Sequence, residues 1–178
     1  MPESSVVNLK NASHEITAEI IVPEGTTAQG VIACQGGNMA GWAMYLDTQG
    51  VASYVYNLFG RVLTTVQDRQ PLSSGRHVLR LRYDHDGGFG AGGELTFTVD
   101  EVDVDGARLD RTVPIIFSMS GETFEVGVDT GAPVGPYPHG FPCTAEIIGV
   151  TLERLRRPDA ATRAAMADGA INAALRTQ

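Results

Sequence analysis

Cysteine and long apolar runs are both scarce in this sequence. Its 178 residues include two cysteines, Cys34 and Cys143. Two are too few for a disulfide framework and their spacing does not fit a zinc site, so we expect two buried thiols, with a single bridge as the open alternative. No apolar run approaches the roughly 18 residues that a membrane-spanning helix needs. The sequence therefore predicts a soluble globular protein.

Positive charge is also in short supply. Thirteen Lys and Arg residues are outnumbered by 21 Asp and Glu residues, which gives a formal net charge of −8 and a pI near 4.9. A protein with this charge repels nucleic acid and anionic membranes at first encounter, so we expect neither as a partner. The opening residues lack the basic and apolar regions of a secretory signal, which makes a cytoplasmic location the default expectation.

Short β-rich segments, separated by Gly, Pro, Asn and Asp, fill about the first 150 residues. Many of them alternate: in His77–Tyr83, Leu79 and Leu81 share one face, and Arg80 and Arg82 share the other. This rhythm predicts one antiparallel β-sandwich of jelly-roll or laminin-G-like type. The candidate strands are Ser5–Leu9, His14–Val22, Gly30–Gln35, Gly41–Leu46, Ala52–Leu58, Arg61–Gln67, His77–Tyr83, Glu94–Val99, Ala107–Thr112, Thr123–Val128 and Thr144–Leu152.

The chain changes character after Arg157. Pro158 suits the first turn of a helix, Asp159 places favourable charge at a helix N-terminus, and the residues that follow are rich in Ala, Arg and Met. We therefore expect two units, a β-sandwich over residues 1–157 and a C-terminal α-helical extension over residues 158–178.

Acidic side chains and glycines are combined in the segment Asp84–Gly93, between two predicted strands. Carboxylate oxygens are ligands that Ca²⁺ prefers, so Asp84 and Asp86 are candidate metal ligands for calcium. We expect no other cofactor. The acidic stretch Asp100–Gly106 is interpreted as a hairpin instead, with its Asp-Gly pair in the tight turn.

Four aromatic residues lie on adjacent predicted strands. They are Trp42, Tyr45, Tyr54 and Tyr56. Aromatic side chains on a sandwich form either a platform on which a sugar ring stacks or one wall of the core. Both interpretations stay open here, so all four are candidate ligand-binding residues.

Asp129 begins an Asp-Thr-Gly sequence after an apolar strand. The sequence predicts a turn at the strand end, in which the Asp129 side chain bonds its own backbone and Gly131 adopts a positive φ. Asp129 is also a candidate ligand-binding residue. No Gly-x-Ser-x-Gly elbow accompanies the four histidines, so we expect no serine hydrolase and assign no catalytic residue.

A series of short stretches, each weak alone, occurs in one consistent order along the chain. They are Ser5–Asn11, Ser13–His14, Ile16–Ala18, Gly30–Ala33, Gln35–Gly37, Gly41–Trp42, Tyr54–Asn57, Tyr83–Asp84, Val126–Gly127, Asp129–Gly131 and Pro133–Val134. Together they resemble the C-terminal region of bacterial arylsulfatases, the part that follows the large catalytic domain. The resemblance covers about residues 5–152.

The resemblance also indicates which sulfatase feature this chain lacks. Sulfatases hydrolyse sulfate esters with a formylglycine made from Cys or Ser in a Cys/Ser-x-Pro-x-Arg motif, and this sequence contains no such motif. We therefore expect no enzyme activity from the chain alone. The resemblance implies a non-catalytic structural or partner-interaction module, which binds a sulfatase catalytic domain or associates with itself through the sandwich face.

Two alternative functions remain open from the sequence. The first is a carbohydrate-binding or calcium-dependent lectin-like module that uses the Asp84–Gly93 loop and the aromatic residues nearby. The second is a subunit or fragment of an arylsulfatase, a sulfuric ester hydrolase, whose catalytic domain lies on another chain.

Overall fold

The computed structural model describes residues 1–119 and 121–155, which contain ten β-strands. In chain order they are β1 (His14–Val22), β2 (Gly30–Gly37), β3 (Ala40–Leu46), β4 (Val51–Leu58), β5 (Val62–Pro71), β6 (Gly75–His85), β7 (Ala91–Val99), β8 (Val102–Arg111), β9 (Phe124–Val126) and β10 (Glu146–Arg154). A short 3₁₀ helix, Glu3–Ser5, precedes them.

The strands form two five-stranded antiparallel sheets. Sheet I has the order β10-β1-β6-β7-β8, and sheet II has the order β5-β4-β3-β2-β9. The sandwich predicted from the sequence is thereby confirmed. The predicted C-terminal helix lies outside the described residues.

Sheet I is apolar on its inner face and polar on its outer face. In β1, Ile16, Ala18 and Ile20 are completely buried, whereas the residues between them are half-buried. β1 lies between β6 and β10, so that His14 is opposite both Tyr83 and Arg154. Since side chains alternate along a strand, this register decides which residues share each face at this end of the sheet.

Sheet II is buried on both faces of its three inner strands, β2, β3 and β4. Its inner face packs on sheet I and forms the main core. Its outer face carries a second apolar cluster, in which Val134, Tyr137 and Phe141 of the segment after β9 cover Val55 and its neighbours. This cover makes sheet II a central layer and leaves its inner strands no solvent-facing surface.

Gly30 allows the covering segment to approach β2 closely. Val31 N donates to Phe141 O at 2.9 Å, and a Cβ at residue 30 would lie 1.9 Å from Pro142 O. The φ of Gly30, +112°, is also one that glycine tolerates best. Any larger residue at this position would force the covering segment away from sheet II.

Two predictions about strands and hairpin turns were wrong. Ser5–Leu9 forms no strand; Ser5 ends the 3₁₀ helix, and an ion pair joins Glu3 and Lys10 on either side of the segment. The turn of the acidic hairpin is formed by Asp100 and Glu101, with φ of +48° and +68°, rather than by Asp105 and Gly106. Asp100 is held there because its carboxylate accepts from Val78 N at 2.9 Å and contacts His77 Nδ1 at 2.7 Å.

The remaining sequence expectations concern cysteine and the membrane. Cys34 and Cys143 are free thiols, the first buried and the second half-buried, so the bridge left open by the sequence is absent. Within the described residues, no helix has the length and apolar character to cross a membrane.

A shielded ion pair fixes the segment before β1. Glu3 pairs with Lys10, and their side chains are 13% and 7% exposed. The Glu3 carboxylate also accepts from Phe117 N and Ser118 N at 3.0 and 2.9 Å, while Lys10 Nζ lies 4.9 Å from the centroid of the Phe117 ring. Burial alone would raise the pKa of Glu3, but the bonds from Lys10 and these two amides outweigh it and lower the pKa.

We expect Glu3→Gln to lower the free energy of unfolding at pH 7 by about 1.5–3 kcal/mol, because it removes hydrogen bonds to a charged group and leaves Lys10 without a counter-ion. Urea unfolding measures the change, with the exposed Glu24→Gln as the matched control. Since the folded-state pKa lies below the ordinary value of 4.5, the carboxylate stabilises the fold fully above pH 4.5. The deficit of Glu3→Gln should therefore shrink as the pH falls below that value, and an unchanged deficit would contradict this assignment.

Candidate ligand-binding site

A cleft of about 650 Å³ opens at the end of sheet I where β1 begins and where β6 and β10 end. Three separate segments line it: residues 11–13 before β1, the residues His85, Gly87 and Gly88 at the end of β6, and residues 153–155 at the end of β10. Its volume lies in the range of roughly 300–1,000 Å³ that is usual for small-ligand sites. The antiparallel order of sheet I brings these segments together.

Asn11 joins two loops beside this cleft. Its Nδ2 donates to Pro114 O at 2.7 Å, and its Oδ1 accepts from Gly90 N at 2.7 Å. Asn11 has φ of +55°, a left-handed conformation that Asn tolerates better than most residues. A loop fixed by a side-chain clamp keeps its shape without the help of a sheet ladder.

The β6–β7 loop carries an exposed phenylalanine beside the cleft. Phe89 stands between Gly88 and Gly90, and 74% of its surface is accessible to solvent. Gly87, Gly88 and Gly90 have φ of +95°, +103° and +65°, so the loop turns through conformations that favour glycine. The backbone turn is therefore anchored at Gly90, while the Phe89 ring remains mostly exposed to solvent.

The wall of the cleft near β1 is uncharged. His14 is buried, and its Nδ1 lies 2.9 Å from Ala12 O, which can only accept, so the neutral ring carries its proton on Nδ1. Burial is the main cause that lowers the pKa of His14 to about 4. Ser13 Oγ accepts from His85 N at 3.0 Å, and Gly87 N donates to His85 Nδ1 at 3.1 Å.

Asp84 and Asp86, the predicted calcium ligands, both form ion pairs with arginine. Arg82 binds Asp84 through two bonds of 2.8 and 3.0 Å, and Arg108 Nη2 lies 2.6 Å from Asp86 Oδ2. A calcium ion would have to displace these guanidinium groups. The calcium site stays a prediction.

Three of the four candidate aromatic residues lie in the core between the sheets. Trp42 and Tyr54 are 1% exposed and stack with ring centroids 6.3 Å apart, and Tyr56 is 6% exposed. Tyr45 is buried too, but in the second cluster, 5.0 Å from the ring of Tyr137. A sugar ring has no exposed aromatic face to stack on here, so their burial agrees with the core interpretation.

Asp129 serves as an anchor for the segment that covers sheet II. Its Oδ1 accepts from Gly131 N at 3.2 Å, as predicted for a turn in which the side chain bonds its own backbone. Its Oδ2 accepts from Tyr137 Oη at 2.7 Å and from Val134 N at 3.3 Å. The predicted positive φ at Gly131 was wrong, because the left-handed residue of this stretch is Gly127, with φ of +87°.

Cys34, Glu125 and Asp129 come within 4.8 Å of one another through their potential metal-ligating atoms. Both Glu125 oxygens accept from Thr130, which outweighs burial and lowers the pKa of Glu125. Burial raises the pKa of the Cys34 thiol, and the nearby carboxylates raise it further. The thiol is protonated and both carboxylates already accept hydrogen bonds from the backbone. We therefore interpret the cluster as structural.

Sequence reasoning missed Phe89 and Arg154. The sequence did contain a signal for Phe89: an aromatic residue between glycines in a loop is not explained by packing of a strand, which marks it as a candidate surface contact. Arg154 had none, because only the pairing of β1 with β10 brings it to residues 11–13.

The chain matches no protein-family model and no curated protein. Among solved structures it is similar to the CBM40 of Ruminococcus gnavus IT-sialidase bound to α2,3-sialyllactose, with TM-score 0.56 and 14% identity over 84% of this chain and 80% of that chain. It is also similar to domains LG4-5 of the mouse laminin α1 chain, with TM-score 0.53 and 18% identity over 87% and 39% of the two chains. The SAP-like pentraxin of Limulus polyphemus gives TM-score 0.50 and 10% identity over 83% and 69%. At these identities the likeness establishes the sandwich fold alone.

The arylsulfatase resemblance is not tested by these similarities, since the structures named are not sulfatase domains. A sulfatase catalytic domain as partner, and self-association through the sandwich face, therefore stay predictions.

We expect Asp129→Asn to lower the free energy of unfolding by about 1–3 kcal/mol, because one of the two oxygens that accept from Gly131 N, Val134 N and Tyr137 Oη becomes an NH₂ group that cannot accept. Chemical unfolding of the variant measures this, with the exposed Asp110→Asn as the matched control. If Asp129 were a ligand-binding residue instead, the variant would keep wild-type stability and lose ligand affinity.

Proposed function

We propose that this protein is a carbohydrate-binding module and that the cleft beside the Gly87–Gly90 loop is its binding site. The observation that carries the proposal is Phe89, an exposed aromatic ring on a glycine-rich loop that Asn11 anchors, next in the chain to Gly88, which lines the cleft. This ring contributes no packing to the core. Its position suits a ligand that brings an apolar surface to the rim.

Sugars present such a mixed surface. A pyranose ring has an apolar C–H face that packs on an aromatic ring, and its hydroxyls need both donors and acceptors when they leave water. The cleft supplies both kinds: the guanidinium of Arg154 donates, the carboxylate of Glu153 accepts, and the hydroxyl of Ser13 does either. This combination distinguishes the cleft from an apolar pocket for a lipid or an aromatic metabolite.

The fold supports the proposal. A jelly-roll module of similar architecture, the CBM40 of the Ruminococcus gnavus IT-sialidase, has a solved structure with sialyllactose bound. In this chain the inner strands of sheet II are covered on both faces. Binding by a loop cleft at the end of the sandwich is consistent with that cover.

The calcium-dependent version of this function makes a separate prediction. If Asp84 and Asp86 hold calcium, a chelator abolishes glycan binding. If they remain paired with Arg82 and Arg108, binding persists in the chelator. The same titration in calcium and in chelator distinguishes the two versions.

We expect Phe89→Ala to weaken binding of a glycan selected on an array by about tenfold or more, which corresponds to about 1.4 kcal/mol of lost stacking. Isothermal titration with the selected glycan measures the loss. Val102→Ala is the matched control, because Val102 is also apolar, is 63% exposed and lies at the opposite end of sheet I.

Phe89→Tyr should retain affinity, since it keeps the ring. Because Phe89 is exposed, its replacement should not change the thermal unfolding temperature, which separates a binding effect from a folding effect. Full affinity in Phe89→Ala, or no glycan bound on the array, would refute the proposed function.

A further inference from the structure

We propose that the cleft selects a carbohydrate that carries a carboxylate group, and that Arg154 binds this carboxylate. The inference rests on the proposed function and specifies the class of glycan. It concerns one charged residue at the wall of the cleft and the arrangement of the charges around it.

Arg154 shares a face with neutral groups. In the pairing of β1 and β10 it lies opposite His14, whereas Glu153 lies opposite Glu15. Directly opposed residues project to the same face of a sheet. Since His14 is buried on the inner side, Arg154 belongs to that side, and the two glutamates belong to the outer side.

Glu15, Asp84 and Asp86 have cationic partners of their own, whereas Glu153, which lines the cleft, forms no ion pair within the described residues and belongs to the outer face. On the outer face, Arg82 binds Asp84 and lies 3.5 Å from Glu15, and Arg108 binds Asp86. In the part of the chain that the structure describes, Arg154 forms no ion pair. Its guanidinium is therefore an unpaired cation at the cleft, on the opposite face of β10 from the Glu153 carboxylate.

A guanidinium binds a carboxylate better than it binds a hydroxyl. Its planar fork donates two parallel hydrogen bonds to the two oxygens of a carboxylate, and these charge-assisted bonds are about twice as strong as neutral ones. The protein as a whole carries a formal charge of −8, so distant charges repel an anionic glycan. Recognition of such a glycan must therefore come from a local cation, and Arg154 is placed to provide it.

The test measures binding of the full chain to one glycan array that is prepared in two chemical forms. The first form carries neutral glycans and carboxylated glycans of two kinds, hexuronates and nonulosonates. The second is the same array after methyl esterification, which removes the charge and keeps the sugar. We expect the bound set to be carboxylated and the signal to fall at least tenfold on the esterified array. The two kinds of acid on the array identify which source supplies the carboxylate.

Substitutions of Arg154 then test whether its side chain binds the carboxylate. We expect Arg154→Ala to reduce affinity for the selected acidic glycan at least tenfold, and Arg154→Lys to retain an intermediate affinity, since it keeps the charge and loses the fork. Arg69→Ala, which removes an exposed arginine lining another pocket, is the matched control and should bind like wild type.

The outcomes separate the inference from the proposed function. Binding of neutral and esterified glycans at full strength would overturn the carboxylate inference and leave carbohydrate binding standing. Undiminished acid binding by Arg154→Ala would overturn the role of Arg154. No binding on either array would overturn the proposed function, and the inference with it.

Discussion

Burial of β2, β3 and β4 on both faces is the constraint on which the rest of this structure depends. A sheet in that position needs two covers: sheet I supplies one, and the segment carrying Val134, Tyr137 and Phe141 supplies the other. The second cover is an irregular chain, whose polar groups need partners of their own. The buried carboxylate of Asp129 satisfies part of that need. With both faces of its inner strands closed, sheet II contributes stability, and under the proposed function the ligand is bound by loops at the end of the sandwich.

The sequence was a good guide to the strands, because alternation has a direct physical cause. A strand with one wet face and one dry face must alternate, and the segment around Leu79 and Leu81 does so. The Asp-Gly signal at residue 105 misled for an equally physical reason. A turn is chosen jointly by local propensity and by the partner strand, and the bonds of Asp100 to Val78 and His77 fix the turn five residues earlier. Ser5–Leu9 has apolar residues suited to a strand, but the structure gives them no ladder.

The site was harder to predict than the fold, for reasons that differ between residues. Trp42 and Tyr54 follow a strand pattern that suits either a core or a platform, and only the position of the second sheet decides between them. Phe89 lies in a loop where no periodicity exists to be interpreted. The cleft itself is built from three segments far apart in the chain. The residues that line the cleft are therefore set by the strand order, and local sequence patterns encode strand order only weakly.

The position of β1 between β6 and β10 has a consequence for the order of assembly. One neighbour of β1 is near the middle of the described chain, and the other is at its end, where Arg154 meets His14. Closing so long a loop costs conformational entropy before any contact compensates for it, which slows this step relative to local hairpins. A nascent chain still attached to the ribosome would form its hairpins first and join β10 last. Strand β10 forms the edge of sheet I and carries Arg154. Pairing of β10 with β1 would therefore complete the edge of the sheet and place Arg154 at the cleft in the same late step. A polypeptide that has not reached this step would have neither.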